Sequence, residues 1–105
     1  MTDSVDILIA IKKLVEERDS SAKIYLYGSR AKGNAKKDSD WDLLILLNRD
    51  KITSEIENDI TYPLYDLEFE TGEIISPMVY TQKEWTTKYS ITPFYKNIMK
   101  EGHLI

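Results

Sequence analysis

The chain has 105 residues, of which 42% are hydrophobic and 30% charged, the size and composition of one folded domain (residues 1–105) rather than of a disordered segment. It has no cysteine and a single histidine, His103, which excludes disulfides, thiolate chemistry and multi-histidine metal sites and leaves oxygen ligands for any metal, hence Mg²⁺ or Mn²⁺ rather than zinc. The formal net charge of −4 offers no general affinity for nucleic acid, although Arg30, Lys32, Lys36 and Lys37 gather within eight positions.

The first residues carry no basic leader, and the apolar runs Ile7–Ile11 and Leu43–Leu47 fall well short of the ~18 residues of a spanning helix. No signal peptide or membrane segment is expected, and a cytoplasmic location is the default. Asp3 or Ser4 can cap a first helix, with Val5, Leu8, Ile9 or Ile11, Leu14 and Val15 on one side and Lys12, Lys13, Glu16, Glu17 and Arg18 mostly on the other. Residues 23–27 read as a strand buried on both faces that runs straight into Gly28-Ser29. Residues 30–39 are polar and small, a loop with room for one helical turn.

Trp41–Leu47, WDLLILL, is the strongest strand, because only a strand covered on both sides is so continuously apolar. Ile52, Ile56, Ile60, Leu64 and Leu67 then recur at helical spacing, with Thr53 or Ser54 as cap, Pro63 as a kink or division, and Gly72 just past the end. Residues 73–81 read as a strand, with Pro77 indicating an edge or a bulge. Thr81 and Glu84 form a capping box opening a short helix through Trp85. Thr92-Pro93 opens a last helix that stops at Gly102 and leaves His103 in an exposed tail. Tyr62, Tyr65 and Phe69 are expected to pack; Trp85, Tyr89, Phe94 and Tyr95 belong to core or interface.

The chemistry concentrates between Gly28 and Asp42. Asp40 and Asp42 stand two apart at the mouth of a strand, so both side chains face one side while Trp41 points the other way into the core. Two such carboxylates repel unless a proton or a divalent cation lies between them. Gly28 lets the backbone turn sharply, so that its N–H groups and the Ser29 hydroxyl can cradle a phosphate. Arg30 and Lys32 serve either as counter-charges or as solvated loop residues, and Gly33 lets the loop close. Taken singly, Gly28-Ser29 and Asp40 are ordinary turn residues. Together they supply what phosphoryl or nucleotidyl transfer needs: a phosphate cradle and metal-binding acids. A P-loop is absent, which disfavours a kinase-like or hydrolase site.

Gly28-Ser29-Arg30-Ala31-Lys32-Gly33, followed by Ser39-Asp40-Trp41-Asp42-Leu43, resembles the signature of the polymerase-beta-like nucleotidyltransferase superfamily, and the small size resembles its minimal members. The resemblance implies an α/β (α+β) fold, a small mixed β-sheet with helices packed on it. It implies that Gly28, Ser29 and Arg30 bind the nucleotide and that Asp40 and Asp42 are catalytic and hold Mg²⁺ or Mn²⁺. The reaction would move a nucleoside monophosphate from a nucleoside triphosphate to an acceptor and release pyrophosphate. The chain departs from the pattern at the third carboxylate that active members carry on a later strand: Ser76-Pro77 stands there, with Glu73 at the strand's start and Asp66 and Glu68 on the preceding helix. The alternative is therefore a nucleotide-binding or catalytically weak module that self-associates or acts with a small helical partner protein, for example as an antitoxin.

Overall fold

The computed structural model describes residues 4–105, with side chains from Asp6 onward, so the expected cap at Asp3 or Ser4 and the packing of Val5 lie outside the described residues. The elements are α1 (Ser4–Arg18), β1 (Lys23–Tyr27), α2 (Ser29–Lys32), β2 (Trp41–Leu47), α3 (Ser54–Thr71), β3 (Ile75–Thr81), α4 (Gln82–Thr86), α5 (Pro93–Glu101) and β4 (His103–Leu104). They form a four-stranded mixed sheet in the order β3-β2-β1-β4. The tight β1–β2 and β1–β4 pairs are antiparallel. The β2–β3 pair is parallel and needs the crossover that α3 provides.

The apolar run of β2 is explained by cover on both faces. Trp41, Leu43, Ile45 and Leu47 pack with Ile7, Ile11 and Val15 of α1 and with Ile60 and Leu64 of α3. Leu44 and Leu46 turn the other way, against Trp85 and Ile98, with Tyr25, Tyr27, Met78 and Phe94 around them. The alternation of a strand thus divides the molecule into two cores with β2 between them. The first residue of β2 to break the apolar pattern is Asp42, on the α4–α5 face.

Several expectations hold. Thr53 is the cap of α3, accepting from Ile56 N at 3.2 Å. Thr81 and Glu84 form the capping box, and Thr92 accepts from Tyr95 N at 3.1 Å. Pro77 lies on the edge strand β3, where a residue without an N–H is tolerated.

Other expectations are corrected. Pro63 does not divide α3, which runs unbroken past it. The buried face made by Ile60, Thr61 and Leu64 carries the helix across the one bond that proline removes, since packing of an apolar face outweighs local propensity. Strand β3 begins at Ile75, leaving Glu73 outside it. The C-terminal residues are not a free tail: β4 pairs with β1, Ile105 N donates to Ile24 O at 2.9 Å, and His103 Nε2 lies 2.9 Å from the Ala31 carbonyl. Tyr62, Tyr65 and Phe69 do not pack. They share the face of α3 turned away from Ile60 and Leu64, and Phe69 is 92% exposed.

Ile45 is fully buried at the centre of this sheet, so Ile45→Ala should lower stability by about 3 kcal/mol through lost burial and the cavity left behind. Urea unfolding should register it as a shifted midpoint with an unchanged slope.

Candidate functional site

The site grows out of the β1–β2 register. Tyr27, the last residue of β1, is the partner of Asp42, so the residue after Tyr27 meets the mouth of β2. That residue is Gly28, with φ 75° and ψ −157°, a conformation that L side chains strongly resist. A Cβ placed on Gly28 would collide with Asp42 Oδ2. Glycine is required twice over, for the turn and for the space that the Asp42 carboxylate occupies. Ser29 follows as the first residue of α2, whose turn is closed by Ala31 N and Lys32 N donating to the Gly28 carbonyl at 3.1 and 3.2 Å. N–H groups at the opening of such a turn have no acceptor within it. Gly33, at φ 78°, ends the turn.

Asp40 stands just before β2 and is exposed, and the Ser76 hydroxyl donates to its Oδ2 at 3.3 Å. Ser76 is also the β3 register partner of Asp42. Both aspartates, Ser76 and the Gly28 corner therefore meet at one end of the sheet. The Asp42 carboxyl is pushed above the ordinary carboxylate value by burial and then by the negative charge of Asp40. Tyr27 floors the corner: its hydroxyl donates to Met78 Sδ at 3.3 Å, and burial followed by the charge of Asp42 holds its proton on more tightly than usual.

Arg30 is placed differently from the expectation of a nucleotide ligand. Its guanidinium lies 4.2 Å over the Trp41 ring, and adjacent strand residues point to opposite faces, so Arg30 sits on the far side of the sheet from Asp42. Its donors are engaged by the Ser39 carbonyl at 3.0 and 3.3 Å and the Lys37 carbonyl at 3.2 Å. Lys32 pairs with Glu101 at 3.2 Å.

The acids considered as a third carboxylate are engaged elsewhere or remote. Glu73 accepts from Trp41 Nε1 at 3.1 Å and pairs with Arg30, on the reverse face. Glu68 accepts from Ile75 N at 2.7 Å. Asp66 lines a groove of about 490 Å³ between α1 and α3, remote from the corner. Among the described residues no group of three or more acidic, histidine or cysteine side chains is placed to hold a metal. Two carboxylates with oxygen-only chemistry, one of them pushed above the ordinary carboxylate value by burial and then by the charge of the other, do suit a hard divalent cation that takes its remaining ligands from water and phosphate. Sequence reasoning put Ser76 at the position expected of a third carboxylate without seeing its bond to Asp40, and it missed Tyr27 beside Asp42 and the Arg30–Trp41–Glu73 cluster. Only Tyr27, adjoining Gly28, left a local signal.

Comparison with known proteins agrees with this architecture. The family described as nucleotidyltransferase domain matches residues 8–104, and the chain belongs to that family. Among solved structures, the chain is similar to a crystal structure of a toxin–antitoxin with AMP-PNP, at a TM-score of 0.65 and 18% identity, over 91% of this chain and 69% of that one. That degree of identity speaks for the fold. No match to a curated protein was found.

The raised carboxyl of Asp42 makes a pH prediction. In the unfolded chain the group titrates near its ordinary value of 3.8, and in the folded chain it holds its proton to higher pH. Ionising it therefore destabilises the fold as pH climbs through the window above 3.8, and the penalty is absent below that value. Asp42→Asn, which cannot ionise, should raise the melting midpoint in chelator-treated buffer near neutral pH. The gain should shrink to nothing as pH falls to about 3, read by circular dichroism across a pH series.

Proposed function

We propose that the chain is a metal-dependent nucleotidyltransferase domain that binds a nucleoside triphosphate at the Gly28–Asp42 corner and passes its nucleoside monophosphate to an acceptor hydroxyl or phosphate. The observation that carries the reading is the Asp42 carboxylate lying in the space a side chain at Gly28 would fill, which brings acid and phosphate-turn backbone into one corner. Gly28 and Ser29 hold the phosphates through backbone N–H groups and the Ser29 hydroxyl. Asp40 and Asp42 hold the cation, Mg²⁺ or Mn²⁺, with Ser76 orienting Asp40. The cation, when bound, neutralises charge that develops on the phosphates. The acceptor oxygen forms its bond to the α-phosphorus as the bond to pyrophosphate breaks, and the acceptor's proton leaves to solvent or to a base outside the identified set. ATP is the first nucleotide to test, given the AMP-PNP of the structurally similar toxin–antitoxin. No helix among the described residues is long and apolar enough to cross a membrane, which is compatible with the cytoplasmic location we assume.

Calorimetry with ATP and Mg²⁺ should show binding by the wild type, weakened about 10-fold or more by Asp42→Asn. Labelled ATP with candidate acceptors should show transfer of the nucleotide label. Equal binding by both proteins would overturn the reading.

A second reading, a nucleotide-binding module that works with a helical partner, is favoured by Ser76 standing where an acid is expected and by the uncovered row of Tyr62, Tyr65 and Phe69 on α3. Beside that row run Glu55, Asp59, Asp66 and Glu70, and α3 carries no basic residue. An apolar row next to an acidic one suits a partner helix that pairs apolar residues with Lys or Arg. The triple substitution of Tyr62, Tyr65 and Phe69 by Ser should abolish co-purification of such a partner, or self-association in light scattering, with nucleotide binding unchanged.

A further inference from the structure

We propose that Arg30 is a positioning residue: from the reverse face of the sheet it sets Asp40 in place by gripping the residues on either side of it. The proposal rests on the reading that Asp40 and Asp42 hold a divalent cation, and it adds a residue to that site which touches neither cation nor nucleotide.

Asp40 needs such an anchor. It lies outside the sheet ladder, which begins at Trp41, and among the described residues its exposed side chain has the long 3.3 Å contact with Ser76 on its own side. The peptide joining it to Trp41 is held by Trp41 N donating to the Ile74 carbonyl at 2.8 Å, and beyond that its location is set by its two chain neighbours. The carbonyl of Ser39 accepts from both Nε and Nη2 of Arg30, at 3.3 and 3.0 Å. The carbon of the same guanidinium lies over the Trp41 ring, 4.2 Å from its centroid. The Lys37 carbonyl, further back in the loop, accepts from Nη2 at 3.2 Å.

Glu73 completes the cluster. One carboxylate oxygen, Oε2, accepts from Trp41 Nε1 at 3.1 Å and lies 3.6 Å from Arg30 Nη2, tying ring and guanidinium together. The Arg30 side chain is only 13% exposed. A planar fork that stacks on an indole while donating to two carbonyls is a task for arginine, and a lysine ammonium lacks both the plane and the fork.

The sign of one measurement separates this role from a purely electrostatic one. A positive charge near a cation site disfavours the cation, so if charge were all that Arg30 supplied, removing it would tighten cation binding. If Arg30 positions Asp40, removing it weakens binding, as loss of an outer partner of a metal ligand does, by about 10-fold or more.

The experiment is Mn²⁺ binding to the full chain without nucleotide, followed by electron paramagnetic resonance, together with amide hydrogen exchange of the metal-free chain. Arg30→Met and Arg30→Lys are both expected to weaken Mn²⁺ by about 10-fold or more. Glu73→Gln keeps an acceptor for Trp41 Nε1 and should weaken it far less. Arg30→Lys, the milder change, should also speed exchange at Lys36 and Ser39, whose N–H groups are bonded within the loop to Ser39 Oγ and Lys36 O, while amides of β2 keep their protection. Unchanged or tighter Mn²⁺ binding by Arg30→Met, or unchanged exchange at those two amides, would overturn the proposal. A wild type that binds no Mn²⁺ without nucleotide but does so with ATP present would place the missing ligands on the phosphates, one that binds none in either case would overturn the metal reading, and in both cases the exchange measurement decides whether Arg30 holds the loop.

Discussion

The approach of the Asp42 carboxylate to the backbone of Gly28 is the constraint on which the rest of the site depends. It follows from a register: Tyr27 pairs with Asp42, so the first residue beyond β1 must pass directly over the mouth of β2. Any side chain at that position would collide with the carboxylate, and any residue but glycine would resist the backbone angle. The corner thereby combines a sharp turn, a fixed acid and free approach from solvent. Grooves along α1 and α3 and beside Tyr80 and Tyr89 lie elsewhere on the molecule.

The two-sided burial of β2 is what makes this corner rigid. Five consecutive residues, Leu43 to Leu47, are buried, alternately against the α1–α3 side and the α4–α5 side. An acid at the end of so well-packed a strand has little freedom to move away from a neighbouring negative charge. The Asp42 carboxyl is accordingly raised, first by burial and then by the charge of Asp40. The arrangement costs the protein stability on its own, and under the proposed function a divalent cation between the acids would offset that cost.

Ser76 and Glu73 show how the same stretch of chain serves both faces. Ser76 is in register with Asp42 and hydrogen-bonds to Asp40, so β3 does contribute to the corner, but with a hydroxyl that can orient an acid and not with a further charge. Glu73, three residues earlier and outside the strand, goes to the opposite face and is occupied by Trp41 and Arg30. The acid nearest in sequence to the expected third carboxylate is thus part of the support behind the site.

Much of this was legible in the residues themselves. The continuous apolar run of β2, the spacing of Ile56, Ile60 and Leu64, the capping box at Thr81 and the pairing of Gly28-Ser29 with Asp40-Trp41-Asp42 are local patterns, and local patterns report local structure and, through strand alternation, which side chains share a face. That determined the elements, the buried place of Trp41 and the grouping of the two aspartates. Partners remote in sequence left no such trace. Only the tertiary structure decided that the C-terminal residues pair with β1, that Ser76 meets Asp40, that Tyr62, Tyr65 and Phe69 face outward, and that Arg30 works behind the sheet with Glu73. Each of those depends on which elements become neighbours and on which side, a property of the packed sheet that no short window of residues encodes.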